Sequence, residues 1–83
     1  MARQNAVLPT GAYAVTPSDT AQNIFTALYI GTAGDVNILP DDQAISSTSY
    51  VLFKNVPAGT TLPIAGKKVL STSTTASNIV AYR

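Results

Sequence analysis

The feature that most constrains this chain is its division, from Ala12 onward, into short runs rich in Val, Ile, Tyr, Phe and Thr, separated by clusters of Gly, Pro, Asp and Asn. β-Branched and aromatic side chains sit well on a pleated surface, and the interrupting residues supply turn geometry or lack a ladder donor. The runs are Ala12 to Val15, Phe25 to Ile30, Val36 to Leu39, Ser49 to Val56, Thr61 to Ile64, Lys68 to Thr72 and Asn78 to Tyr82. Their spacing predicts an all-β fold, a small antiparallel β-sandwich or barrel of about six to seven short strands. The expected organisation is a flexible N-terminal arm over 1–11, because termini order only when something ties them down. A single β domain over 12–83 follows.

An 83-residue chain is near the lower end of what one hydrophobic core holds folded without help. Small domains gain that help from disulfides, a metal or association. With no Cys and no His the first is removed and a structural zinc site is not expected, which leaves association with partners. The formal charge of +1 gives too weak a field to steer the chain to phosphate backbones or anionic membranes, so neither nucleic acid nor membrane is an expected partner. No segment approaches the roughly 18 apolar residues of a membrane span. The first eleven residues lack the apolar block of a secretory signal, which predicts a protein made and kept in a cytosol or packaged from it. With 46% hydrophobic and only 11% charged residues, much of the surface must be apolar or hydroxyl-bearing. Such a surface suits protein contacts because little charge is desolvated on docking.

The residue inventory argues against an enzyme. A Ser or Cys nucleophile activated by imidazole is excluded by the lack of His. The carboxylates are Asp19, Asp35, Asp41 and Asp42, and the last two follow Pro40 as turn formers rather than as an acid–base pair. Asp35, Asn37, Asp41 and Asp42 lack the acidic ladder of a calcium loop, so no metal site and no cofactor are expected. Lys54, Lys67 and Lys68 lie near Tyr50 and Phe53, as on a single-strand nucleic-acid platform. Without a wider basic stripe they read more simply as edge charges that deter aggregation.

Local signals fill in the connections. Thr16-Pro17-Ser18-Asp19 fits a capping box opening a helical turn between the first two strands. Gly31-Thr32-Ala33-Gly34-Asp35 reads as a hairpin connection whose glycines supply positive φ. It lacks the Lys-Ser/Thr pair of a phosphate-binding loop. Pro57-Ala58-Gly59 and Ala65-Gly66 read as further turns. The hydroxyl-rich stretches Ser46–Ser49 and Ser71–Thr75 predict turns and edges in which side-chain oxygens satisfy backbone groups.

Alternation along two runs carries the functional hint. Phe25, Ala27 and Tyr29 share one face while Thr26, Leu28 and Ile30 share the other; Val51 and Phe53 oppose Tyr50, Leu52 and Val56. Both faces of each run are apolar, whereas a sheet wet on one side alternates more cleanly. Either these strands are central and covered twice, or one face meets another subunit. The second option nominates Val7, Leu8, Leu28, Ile30, Tyr50, Leu52 and Tyr82 as interface residues.

Several segments read in order carry a family likeness. They are Gly11 to Ala21, Ala27 to Gly31 with Gly34-Asp35, Phe53 to Gly59, Leu62 to Ile64, Lys68 to Leu70, and Thr72 to Ala76 ahead of Ile79 to Ala81. Together they resemble the head-spike base proteins of gene transfer agents and tailed bacteriophages, small β proteins on the outside of an icosahedral head. The resemblance implies a virion structural protein bound to the major capsid protein, a homo-oligomer such as a trimer or pentamer, with a spike or fibre protein as a further partner. It implies a capsid-exterior location after assembly in the host cytoplasm, and it brings no catalytic or cofactor residue. Family members tend to carry glycine where this chain has Ser73. The 83 residues leave no room for a spike domain, so a decoration or cement protein sharing the base fold is the companion expectation. The alternative from another class is a carbohydrate- or ligand-binding β module stacking sugar on Tyr13, Tyr29, Tyr50 or Tyr82.

Overall fold

The structure, a computed structural model, describes residues 9–83. Seven strands form: β1 Ala12–Ala14, β2 Ala27–Thr32, β3 Gly34–Pro40, β4 Val51–Val56, β5 Thr60–Leu62, β6 Gly66–Val69 and β7 Ser77–Tyr82. Each falls on or overlaps one of the seven sequence runs. They assemble into two antiparallel sheets, a four-stranded sheet ordered β1-β7-β2-β5 and a three-stranded sheet ordered β4-β3-β6.

The core lies between the sheets. Leu28 and Ile30 of β2, Leu62 of β5, and Ile79 and Ala81 of β7 meet Val36 and Ile38 of β3, Val56 of β4 and Val69 of β6, with Phe25 and Ala76 added from the connections. Strict period-two alternation selects this set, since directly paired residues share a face: Leu28 lies opposite Ala81 and Leu62, and Ile30 opposite Ile79. In β3 the run Val36–Leu39 is buried without a break. Leu39 and Leu70 have almost no exposure yet lie outside the central cluster. The small sheet is therefore covered on both faces along β3 by the chain itself, whereas the two runs with apolar residues on both faces became β2, buried on one face only, and β4, an edge strand that is mostly exposed.

Three local expectations need correction. Gly31 and Gly34 lie inside β2 and β3, and the connection between them changes sheets instead of closing a hairpin. Neither glycine has positive φ; what each supplies is room. A Cβ on Gly31 would sit 2.6 Å from the Asn78 carbonyl oxygen, and one on Gly34 2.5 Å from the Ala76 nitrogen. The capping box does not form. Ser18 Oγ accepts from the amides of Thr20 and Ala21 in a local hydroxyl turn. Asp19 turns away from Thr16 to accept from the Thr72 amide at 2.9 Å and the Thr72 hydroxyl at 2.6 Å. The five residues left between Asp19 and the buried Phe25 are too few to repay helix nucleation when long-range partners are within reach.

The third correction concerns β4. Gly34 pairs with Val56 and Val36 with Phe53, so β4 holds one extra residue, a β-bulge. Asn55 occupies it at φ 57°, with its amide held by Asp35 Oδ1 at 2.9 Å. The bulge turns Phe53 and Val56 to the same core instead of to opposite faces. The 72–76 turn is the counterpart on the other side of β3. Thr75 Oγ1 accepts from the Asp35 amide and Thr74 Oγ1 from the Asn37 amide, so side-chain hydroxyls continue the ladder where β6 has ended, as the Ser/Thr-rich stretch predicted. Ser73 adopts φ 68° here, an L-residue in the left-handed conformation that glycine takes most easily.

Candidate functional site

Two surfaces combine exposure with apolar character. The larger is the outer face of the four-stranded sheet. Because Leu28, Ile30, Ile79 and Ala81 point inward, the alternate positions Ala27 and Tyr29 of β2, Val80 and Tyr82 of β7, Ala12 and Ala14 of β1 and Thr61 of β5 share the other side. Each is exposed or half-buried, and none is charged. A shallow, mainly apolar depression on this face is lined by Pro9, Ala27, Thr61 and Tyr82. The apolar second face expected from the β2 run therefore exists, but it belongs to Ala27 and Tyr29 and to β7.

The smaller surface is the start of β4 and the long connection leading into it. Tyr50, Val51, Leu52 and Ile45 are all exposed, Val51 by 43%. Their connection is held mainly at its beginning. The Asp41 amide donates to Ala65 O, and Lys67 Nζ donates to the carbonyl oxygens of Asp41 and Gln43. Lys67 is thus a turn clamp.

The nominated interface residues separate accordingly. Tyr82 lies on the outer face of the large sheet, while Leu52 lies on the small sheet's edge strand and Tyr50 immediately precedes that strand. Leu28 and Ile30 have no accessible surface and form core, so they present nothing to a partner. Their alternate neighbours Ala27 and Tyr29 hold the position that had been given to them. Val7 and Leu8 lie outside the described residues. Sequence reading missed Val80 and the two β1 alanines, because only the pairing of β1 and β2 with β7 reveals a shared face.

The four tyrosines do not form one platform. Tyr13 packs on the core, donates its hydroxyl to Ile24 O at 2.7 Å and carries the Arg83 guanidinium 4.8 Å from its ring centre. Burial pushes its phenol above the ordinary value, with Arg83 opposing. Tyr50 lies just before β4 of the other sheet, which leaves Tyr29 and Tyr82 on a common face. Of the polar groups weighed for calcium, two are engaged in the fold: Asp35 at the bulge and the Asn37 side-chain amide on Thr72 O. Among the described residues no group of three or more acidic, His or Cys side chains is placed to hold a metal ion.

These features define a class: a two-sheet, all-β module with an uncharged sheet face and an apolar strand edge. A solved chain with the same architecture comes from a particle described as "Capsid of native GTA particle computed with C5 symmetry". It superposes with a TM-score of 0.75 at 28% sequence identity, over 92% of this chain and 84% of that one. No family model matches the sequence, and no curated protein does.

Proposed function

We propose that this chain is a structural, capsid-associated subunit of a phage-like or gene-transfer-agent head, acting through protein contacts. The observation that carries the reading is the likeness, across nearly the whole chain, to a chain of a gene-transfer-agent capsid. The uncharged outer face of the four-stranded sheet has the chemistry such a role requires. Its Ala, Val, Thr and Tyr side chains bury apolar area without stranding a charge, and tyrosine is the kind of anchor that dominates protein interfaces.

In its finer form, the protein sits on the capsid exterior as a decoration, cement or head-spike base subunit. It is bound to the major capsid protein, assembles as a homo-oligomer in the host cytoplasm, and as a base carries a spike or fibre. A cement subunit clamps neighbouring shell proteins by shape and apolar contact, which the flat sheet face suits.

The test is to mix shells lacking this chain with purified wild type or with the double variant Val80→Asp, Tyr82→Asp. Both side chains are only partly buried on the outer face, so the variant keeps its fold by circular dichroism. Wild type is expected to co-sediment with the shells and raise their resistance to heat and osmotic shock, and the variant to do neither. Wild type that fails to bind shells would sink the reading; a folded variant that binds as well as wild type would remove this face from it.

A further inference from the structure

Sheet edges present unpaired backbone donors and acceptors, and proteins normally cover or blunt them. Two of the four edges here are dealt with. Along β6 runs the segment Ser18–Phe25, with hydrogen bonds from the amides of Ser18, Asn23 and Phe25 to the carbonyls of Val69, Lys67 and Gly66. β5 is three residues long and runs into Pro63, which has no amide hydrogen to offer.

The other two edges are open among the described residues. In an antiparallel ladder, backbone groups point alternately to the two sides. Asn37 turns its amide to Thr74 and its carbonyl to Leu70, away from β4. Its partner Leu52 therefore sits in a non-hydrogen-bonded pair and points its own N–H and C=O outward, as does Lys54 two residues on. On β1, Gly11 exchanges hydrogen bonds with Arg83, and the Val15 amide donates to Ile79 O. That leaves Ala12 and Ala14 with outward N–H and C=O groups.

The two open edges match. Each offers two outward-bonding residues two positions apart. The β1 edge carries methyl side chains where the β4 edge carries the long Leu52 and Lys54. No charge occurs between Thr10 and Ser18, and the nearby Arg83 guanidinium is engaged over the ring of Tyr13, which alternates to the other side of β1 from Ala12 and Ala14. The connectivity also puts them on opposite flanks. β4 is tied to the β5 end of the large sheet by the turn Pro57–Gly59, whereas β1 lies at the other end of that sheet.

We propose that the β4 edge of one copy pairs with the β1 edge of the next copy, joining Leu52 and Lys54 to Ala12 and Ala14 in a continuous intermolecular sheet. The contact is head-to-tail, so it builds a multimer of more than two subunits, a ring where the rotation between copies closes, and not a two-fold dimer. It deepens the homo-oligomer part of the proposed function and rests on that part alone, not on capsid binding.

The chain has no cysteine, which allows a clean test. The double variant Ala14→Cys, Leu52→Cys, treated with a short bis-maleimide, is expected to give a covalent ladder passing beyond dimer, while each single-cysteine variant gives none. Ala14→Pro and Leu52→Pro delete only outward amides, so both are expected to stay folded by circular dichroism while losing the multimer in sedimentation. A folded wild-type monomer at micromolar concentration would overturn the proposal. So would dimers from Leu52→Cys alone, which mark symmetric β4–β4 pairing, or folded proline variants that remain multimeric. If shells bind a folded monomer, the capsid reading stands and this one falls; if multimers form that shells ignore, the reverse holds.

Discussion

Gly66→Ala tests how the two sheets are closed against each other. Phe25 and Gly66 form an isolated bridge across the sheets, with hydrogen bonds of 3.1 Å from the Phe25 amide and 3.0 Å back from the Gly66 amide. A Cβ on Gly66 would lie 2.3 Å from Phe25 Cζ, 2.8 Å from Cε2 and 2.9 Å from the Leu39 carbonyl oxygen. The Phe25 ring is 1% exposed at the centre of the core and its backbone is pinned, so it cannot yield cheaply. Overpacking of this kind costs about 1–3 kcal/mol, with the upper half expected here because two ring atoms and a backbone oxygen are struck together. That is a large part of the roughly 4–12 kcal/mol available to a domain of this length. Phe25→Leu removes the offending ring atoms and alone costs about 1–2 kcal/mol, less than the loss of a whole aromatic side chain. In the double variant the clash with the ring is gone, so the combined cost should fall about 1 kcal/mol or more below the sum of the single costs. Urea midpoints with a common slope measure all three variants. Costs that add to within about 0.5 kcal/mol would refute the reasoning, because they would mean that the ring does not rest on Gly66.

Substitutions at two further positions probe the 72–76 turn. Ser73→Gly should raise stability by about 0.5–1 kcal/mol and Ser73→Val lower it, since φ 68° strains an L-residue and a β-branched one most; equal urea midpoints for the three proteins would contradict this. The Asp19 carboxyl is held below the ordinary carboxylate pKa by the Thr72 hydroxyl and amide. A lowered folded-state pKa stabilises the fold above the unfolded value, and that contribution disappears as pH falls through the folded value. Urea midpoints followed from neutral to strongly acidic pH should therefore fall less steeply for Asp19→Asn than for wild type, and parallel curves would argue that the tether has no energetic weight.

The strand inventory was legible because period-two patterning and turn residues are local properties. All seven runs became strands, and the Ser/Thr stretch after β6 supplied its hydroxyls to the backbone as expected. The misreadings were long-range. Gly31 and Gly34 look like turn glycines until Asn78 and Ala76 are seen pressed against them, contacts more than 40 positions away in sequence. Asp19 looks like a capping residue until Thr72 arrives from the far end of the chain. Leu28 and Ile30 were offered to a partner because alternation shows that two faces differ without showing which one faces inward. A slip of one residue, such as the bulge at Asn55, reverses every assignment beyond it.

The sequence by itself determined that the chain builds short strands around an apolar interior, with no imidazole or thiol chemistry and little charge to desolvate on docking. Those are matters of residue type and spacing. Only the tertiary structure decided which apolar face is core and which remains available, because that depends on β7 threading between β1 and β2. The lysines of β4 and β6 marked both strands as edges, but only the tertiary structure decided that β6 is covered while β1 and β4 are open among the described residues, since covering an edge takes a segment from elsewhere in the chain.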